Sequence, residues 1–310
     1  MRLSAFDCLR RGWTNLSANW ELVVIQWLES FLVLVLLAVG LLVPLVILGT
    51  NVLNGIDDVL RRLADFSPAL AMSLTAMLAV WLLALLLHCY FQAGAFGVLA
   101  SADRQALPGP RRDPRLFRTF SLRDFFGWGG RYVWRFLGLR VLFWGLALLV
   151  AGAVLFWLVF LGLGGVEWGG AAAFGIGCGG ALPIGFLALV LGLGFHVAQA
   201  DLARDGSGVR PAFRRGLDVL GRRLGAVLAL FVAALGAALA LAAVFLPLSA
   251  VIGSLLSGAP RWRALVQLIL FFLQALPNTL LAMVLAGSLV ALVRSEMLSE
   301  IRRKPEVQTA

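Results

Sequence analysis

The sequence predicts an all-α integral membrane protein with six transmembrane helices, and three observations carry that expectation. Apolar residues make up 61% of the 310 and charged residues only 14%, about half the charged share of an average soluble domain. A soluble chain of that balance would expose large apolar patches, so lipid is the solvent this composition suits. Six apolar runs, at 21–49, 69–100, 137–163, 171–200, 224–256 and 264–293, each reach the roughly 20 residues that a bilayer core requires. The basic residues collect on alternate connections, the bias that orients membrane proteins.

The runs follow one another as a single polytopic domain over residues 1–310. The first begins near Leu22, is too long for a signal-peptide core and has no small-residue cleavage site behind it, so an uncleaved anchor is expected. With the N-terminus inside, segments 1–20, 101–140, 201–223 and 294–310 hold 22 of the 26 basic residues, and 50–68, 164–170 and 258–263 hold 4. That split predicts cytoplasmic N- and C-termini. All but Lys304 of the basic residues are arginine, the usage expected of a GC-rich bacterial genome, which makes the plasma (inner) membrane the expected location. Trp13, Trp20, Trp128 and Trp134 fall at the inner interface and Trp168 and Trp262 at the outer one, where an apolar ring with one N–H is favoured. Pro44, Pro183, Pro247 and Pro277 lie inside the runs and are expected to kink their helices. Pro108-Gly109-Pro110 marks a turn.

A longer period is superimposed on the runs. Arg10-Arg11-Gly12-Trp13 precedes a run containing Val43-Pro44-Leu45, then Gly49; Arg214-Arg215-Gly216-Leu217 precedes a run containing Leu246-Pro247-Leu248, then Gly253. Phe125-Phe126-Gly127-Trp128 marks a middle copy without the proline. The implied repeat units are 4–103, 115–205 and 210–300, each a basic interfacial helix followed by a helical hairpin, all three parallel. Chance similarity between Leu-, Ala- and Val-rich segments is the alternative.

Residues 115–136 carry the clearest amphipathic pattern. Leu122, Phe125, Phe126, Tyr132, Val133 and Phe136 share one helical face, with Asp124, Trp128, Arg131 and Arg135 on the other. An aromatic face opposite arginines suits a helix in the headgroup layer, guanidinium groups on phosphates. The candidate lipid-headgroup residues are therefore Arg115, Arg118, Arg123, Arg131 and Arg135, with Arg214 and Arg215 from a weaker copy at 210–223. Enforcing topology is the simpler role for the same charges.

Ionisable groups inside a span are costly and mark candidate sites. Glu29 lies two turns into the first run, and Arg140, at similar depth in the third, is its expected partner in an intramembrane polar pair. His88 and His196 lack the acidic or thiol neighbours a metal needs and are read, with Gln92, Gln199 and Asn278, as polar contacts between helices. Cys8, Cys89 and Cys178 are widely spaced and read as structural. No cofactor is expected, because no phosphate loop or catalytic set is found.

The segment Ala198-Gln199-Ala200-Asp201-Leu202-Ala203-Arg204-Asp205-Gly206-Ser207-Gly208-Val209-Arg210-Pro211-Ala212-Phe213-Arg214-Arg215-Gly216, passing into apolar residues up to Leu230, resembles the cytoplasmic hairpin of uncharacterised multi-pass bacterial membrane proteins. These include the membrane domain of some glycerophosphoryl diester phosphodiesterases. The resemblance implies a compact six-helix membrane bundle; none of these residues corresponds to the catalytic domain, so no hydrolase activity carries over. The reading favoured is a non-enzymatic multi-pass membrane protein with a membrane-organising or assembly role. Its expected partners are membrane lipids, anionic at the cytoplasmic rim, and a membrane-protein or cytoplasmic partner; nucleic acid is not expected. A transporter or permease subunit is the alternative, motivated by the prolines, Glu29 and Asn278.

Overall fold

The computed structural model describes the backbone of residues 3–47, 68–106, 113–168 and 170–308, helical over nearly all of them. Pro44, Gly49, Pro108-Gly109-Pro110, Trp168, Cys178 and Lys304 lie outside the residues whose side chains are described. A short helix comes first, α1 (Ala5–Ala18). Ser4 starts it with a capping box: its Oγ accepts from the Asp7 N–H at 3.1 Å and the Asp7 carboxylate accepts from the Ser4 N–H at 3.3 Å. The long helices are α2 (Glu21–Ile47), α3 (Pro68–Gln105), α4 (Leu122–Trp168), α5 (Gly170–Asp205), α6 (Val209–Leu255) and α7 (Pro260–Gln308). All six are long and apolar enough to cross a membrane, and a 3-10 turn at Pro114–Phe117 precedes α4.

The long helices sort into two layers. α3, α5 and α7 touch one another and form the inside. On the outside, α2 packs on α3 and α7, α4 on α3 and α5, and α6 on α5 and α7. Each outer helix thus fills the groove between two inner ones. α1 lies on α7 at the end of the bundle where α2 begins.

Close backbone contact sets where the arginine-rich segments sit. A Cβ on Gly12 would meet Ser288 and Val284 of α7 at 2.4–2.7 Å, and one on Gly216 would meet Gly194 and Ala198 of α5 at 2.9–3.0 Å. Both glycines approach a pair of residues four apart on an inner helix. At the start of α4 the small residues are on the other partner: Gly94 and Gly97 of α3 receive Phe125 and Trp128 of α4, while Gly127 has open space around it. The turn from α5 to α6 uses Gly206 at φ +59°, a left-handed helix end that glycine adopts without a Cβ clash.

The expectation of a basic interfacial helix before each hairpin is corrected here. Among the described residues a separate α-helix leads into α2 only. Residues 122–136 are the opening turns of α4, continuous with its apolar part. At about 1.5 Å per residue its 47 residues give about 70 Å, beyond the roughly 40–45 Å of a whole bilayer. The aromatic face expected to meet lipid is instead turned inward. Phe125, Tyr132, Val133 and Phe136 are buried, whereas Leu122 and Phe126 of the same sequence pattern are exposed. A continuous helix leaves no extra orphan N–H and C=O groups to cap, and α3 supplies the apolar surface that lipid was expected to offer. In α6 the basic turns are set off from the apolar part by non-helical dihedrals at Arg223 (φ −132°, ψ 27°). The break does not fall at a proline; α5 and α6 run on through Pro183 and Pro247.

Candidate functional site

Polar chemistry gathers at the arginine-rich end. Among the described residues, each inner helix carries one buried acid toward its C-terminal end: Asp103 in α3, Asp201 in α5 and Glu296 in α7. Each is met by arginine from another element. Asp103 accepts from Arg11 of α1 at 2.5 Å and from Arg294 of α7 at 3.1 Å. Arg215 stands 3.5 Å from Asp201, and Arg223 3.6 Å from Glu296. Burial makes these charges costly unless paired, so the acids tie the ends of the bundle together.

Asn19, fully buried after α1, adds a neutral hub. Its Nδ2 donates to the carbonyls of Asn15 and Phe117 at 2.9 and 2.7 Å, and its Oδ1 accepts the N–H groups of Thr119 and Phe120 at 3.1 and 2.9 Å. Asn15 in turn donates to Leu99 O at 2.9 Å. α1 therefore buries its polar face on protein. Burial pushes the Cys8 thiol on that face up to about 12, the behaviour of a structural cysteine.

The candidate headgroup arginines divide into two groups. Arg118 chelates Glu21, with N···O distances of 2.9 and 2.5 Å, and donates to Ala18 O at 2.6 Å. Arg135 donates to Gly206 O and Arg215 faces Asp201. These three spend donors on the protein. Arg115, Arg123, Arg131 and Arg214 are exposed.

Arg123 and Arg131 meet at a pocket of about 510 Å3 between the C-terminal end of α3 and the first turns of α4. Ser101, Gln105, Thr119 and Trp128 complete its polar and aromatic wall. Trp128 is held by stacking: the guanidinium carbons of Arg104 and Arg131 lie 5.6 and 5.8 Å from its ring centre, and Tyr132 stacks parallel at 5.5 Å. Asp124, also on the wall, is occupied by the helix cap, accepting from Ser121 Oγ at 2.7 Å. Two cations and a set of hydroxyl and amide donors in one open pocket suit an anion.

Glu29 and Arg140, expected as an intramembrane polar pair, each meet a side chain of α3. Glu29 is buried and its Oε1 meets His88 Nδ1 at 2.9 Å. Arg140 donates to Gln92 Oε1 at 3.2 Å, and Gln199 donates to the same oxygen at 3.0 Å. α3 packs against both α2 and α4, so its His88 and Gln92 reach the two charges before they reach each other. The outcome is a polar track over α2, α3, α4 and α5. Among the described residues, no three of His, Cys, Asp and Glu gather as a metal site would need.

Sequence reasoning passed over Asp103, Asp201, Glu296 and Asn19, because groups near the ends of apolar runs read as solvated. For the acids the available signal was recurrence, since acidic residues stand at the same end of every second long helix. No protein-family model, curated protein or solved structure matches this chain.

Proposed function

We propose that this chain is a non-enzymatic, membrane-organising or assembly protein that holds anionic lipid headgroups at a basic cytoplasmic rim. The observation that carries this reading is the pocket where exposed Arg123 and Arg131 flank Trp128. Guanidinium groups bind phosphate in a bidentate fashion, and arginines beside the apolar part of a long helix are attracted to an anionic membrane surface. Both termini are assigned to the cytoplasm of a bacterial plasma membrane on the 22-to-4 split of basic residues.

Three parallel units, 4–103, 115–205 and 210–300, give this rim its form. Their support is the two-layer packing, in which the leading segment of each unit lies on the second helix of another: α1 on α7, the start of α4 on α3, and the start of α6 on α5. The resemblance of Ala198–Leu230 to multi-pass bacterial membrane proteins agrees with such a bundle. The polar track from Glu29 to Gln199 favours a second reading, a transporter or permease subunit. Labelling of a Glu29→Cys variant by a membrane-impermeant maleimide would favour that alternative.

Native mass spectrometry of the purified chain tests the first reading. The chain is expected to retain phosphatidylglycerol over phosphatidylcholine, and Arg123→Gln with Arg131→Gln is expected to remove most of that preference. Equal retention of the two lipids by the unaltered chain would sink it.

A further inference from the structure

A second concavity lies apart from the rim pocket, where α1 crosses α6 and α7. It measures about 330 Å3 and its wall is apolar except for Arg10. α6 contributes Ala233, Ala234 and Ala237 to it, so the space exists because this stretch of α6 carries small side chains on one face. The groove has a direction. Residue numbers rise along α6 and fall along α7 with distance from the arginine-rich end, which puts Ala237 and Leu281 at its deep end. Arg10 and Trp13, from α1, stand at its shallow end.

Size and charge decide the occupant. The wall is apolar along its length and its one cation stands at the shallow end, the order of chain and headgroup in a phospholipid. At about 30 Å3 per water-sized group, the groove accommodates on the order of ten methylenes, the scale of an acyl chain. Water is a poor occupant because the wall offers few polar partners. At the mouth, Arg10 offers a cation to a phosphate. Beside it Trp13, 52% exposed, and Phe6, 69% exposed, form the aromatic surface typical of the headgroup boundary.

We infer that this groove holds one acyl chain of an anionic phospholipid, with the phosphate on Arg10 and the chain along Ala233, Ala234 and Ala237. Such a lipid fastens α1 from the outside, while the Arg11–Asp103 bond and Asn15 fasten it from the inside. The inference does not rest on the rim pocket, whose arginines belong to α4 and whose wall shares no residue with this groove.

The test reads Trp13 directly. The full chain is placed in phosphatidylcholine nanodiscs containing a minor fraction of acyl-brominated phosphatidylglycerol or acyl-brominated phosphatidylcholine. The Trp13 contribution is the difference from a Trp13→Phe variant. Brominated phosphatidylglycerol is expected to quench it severalfold more than brominated phosphatidylcholine. Arg10→Gln should abolish that preference, and Ala234→Leu, which fills the groove, should lower quenching by both lipids. Arg10 is not buried, so its variant keeps the test valid even if Ala234→Leu fails to fold. Arg123→Gln with Arg131→Gln should leave the Trp13 signal unchanged, which separates this site from the rim. Equal quenching by the two lipids would mean annular lipid only and would overturn the inference. So would a preference that survives Arg10→Gln or one that disappears with the rim variants.

Discussion

At the arginine-rich end Leu99, Phe117, Phe125, Leu139 and Leu202 are fully buried, while toward the other end Leu148, Leu155, Phe156, Leu239 and Leu246 stand open. The contrast is sharpest in the α4–α5 pair. Among the described residues, every buried apolar side chain of α4 lies at or before Leu139 and every one of α5 at or after Leu193. Apolar character is as high in the open half as in the packed one, so hydrophobicity does not explain the difference. Lipid tails are as apolar as leucine, and burying one leucine on another gains little inside a bilayer. What closes the arginine-rich end is polar: buried acids, arginines and Asn19 must find partners once water is excluded. The lesson is that this protein is held by its polar rim, and its spans follow.

The comparison can be broken at three levels. The largest effect is expected at Cys8. With its thiol pushed up to about 12, the thiolate fraction at pH 8 is about three orders of magnitude below that of a free cysteine. A chain whose sole cysteine is Cys8 should resist iodoacetamide until it is unfolded, and rapid labelling of the folded protein would show that α1 is not packed.

Next comes Asp103→Ala. Removing the acid shared by Arg11 and Arg294 withdraws a carboxylate from two guanidiniums that are only 5% and 12% exposed, a class of change that costs about 3–5 kcal/mol. Thermal unfolding in detergent should show a large fall in midpoint; a shift within error would mean that the network is solvated.

The smallest effect tests the open half. Leu155→Ala, at a position 64% exposed, should change stability by less than about 0.5 kcal/mol. Leu99→Ala, in the packed half, should cost about 2–5 kcal/mol. Equal losses in the same unfolding experiment would show that the far ends of the helices are closed by a partner.

Much of the architecture was legible in advance. Six apolar runs reappear as six long helices because bilayer length and composition act locally on each segment. Their ends were less legible, since α4 continues from residue 122 where the apolar run begins at 137. The cause is packing of Phe125, Tyr132 and Phe136 against other helices, which no local pattern reports. The candidate arginines were identified as a class, but their roles were not separable. Arg118 and Arg123 are alike in sequence context; one reaches Glu21 across 97 residues, the other opens onto a pocket.

The sequence by itself thus determined the solvent, the number of spans and the charge asymmetry between the two ends. Each of these depends on composition within a window of about one helix. Only the tertiary structure decided which charges are spent on one another, that Glu29 meets His88 before Arg140, and where cavities remain. Those outcomes depend on distances of a few ångströms between residues far apart in the chain. Two arginines one position apart, Arg10 and Arg11, show the division: α1 turns Arg11 inward to Asp103 and leaves Arg10 at the mouth of an apolar groove.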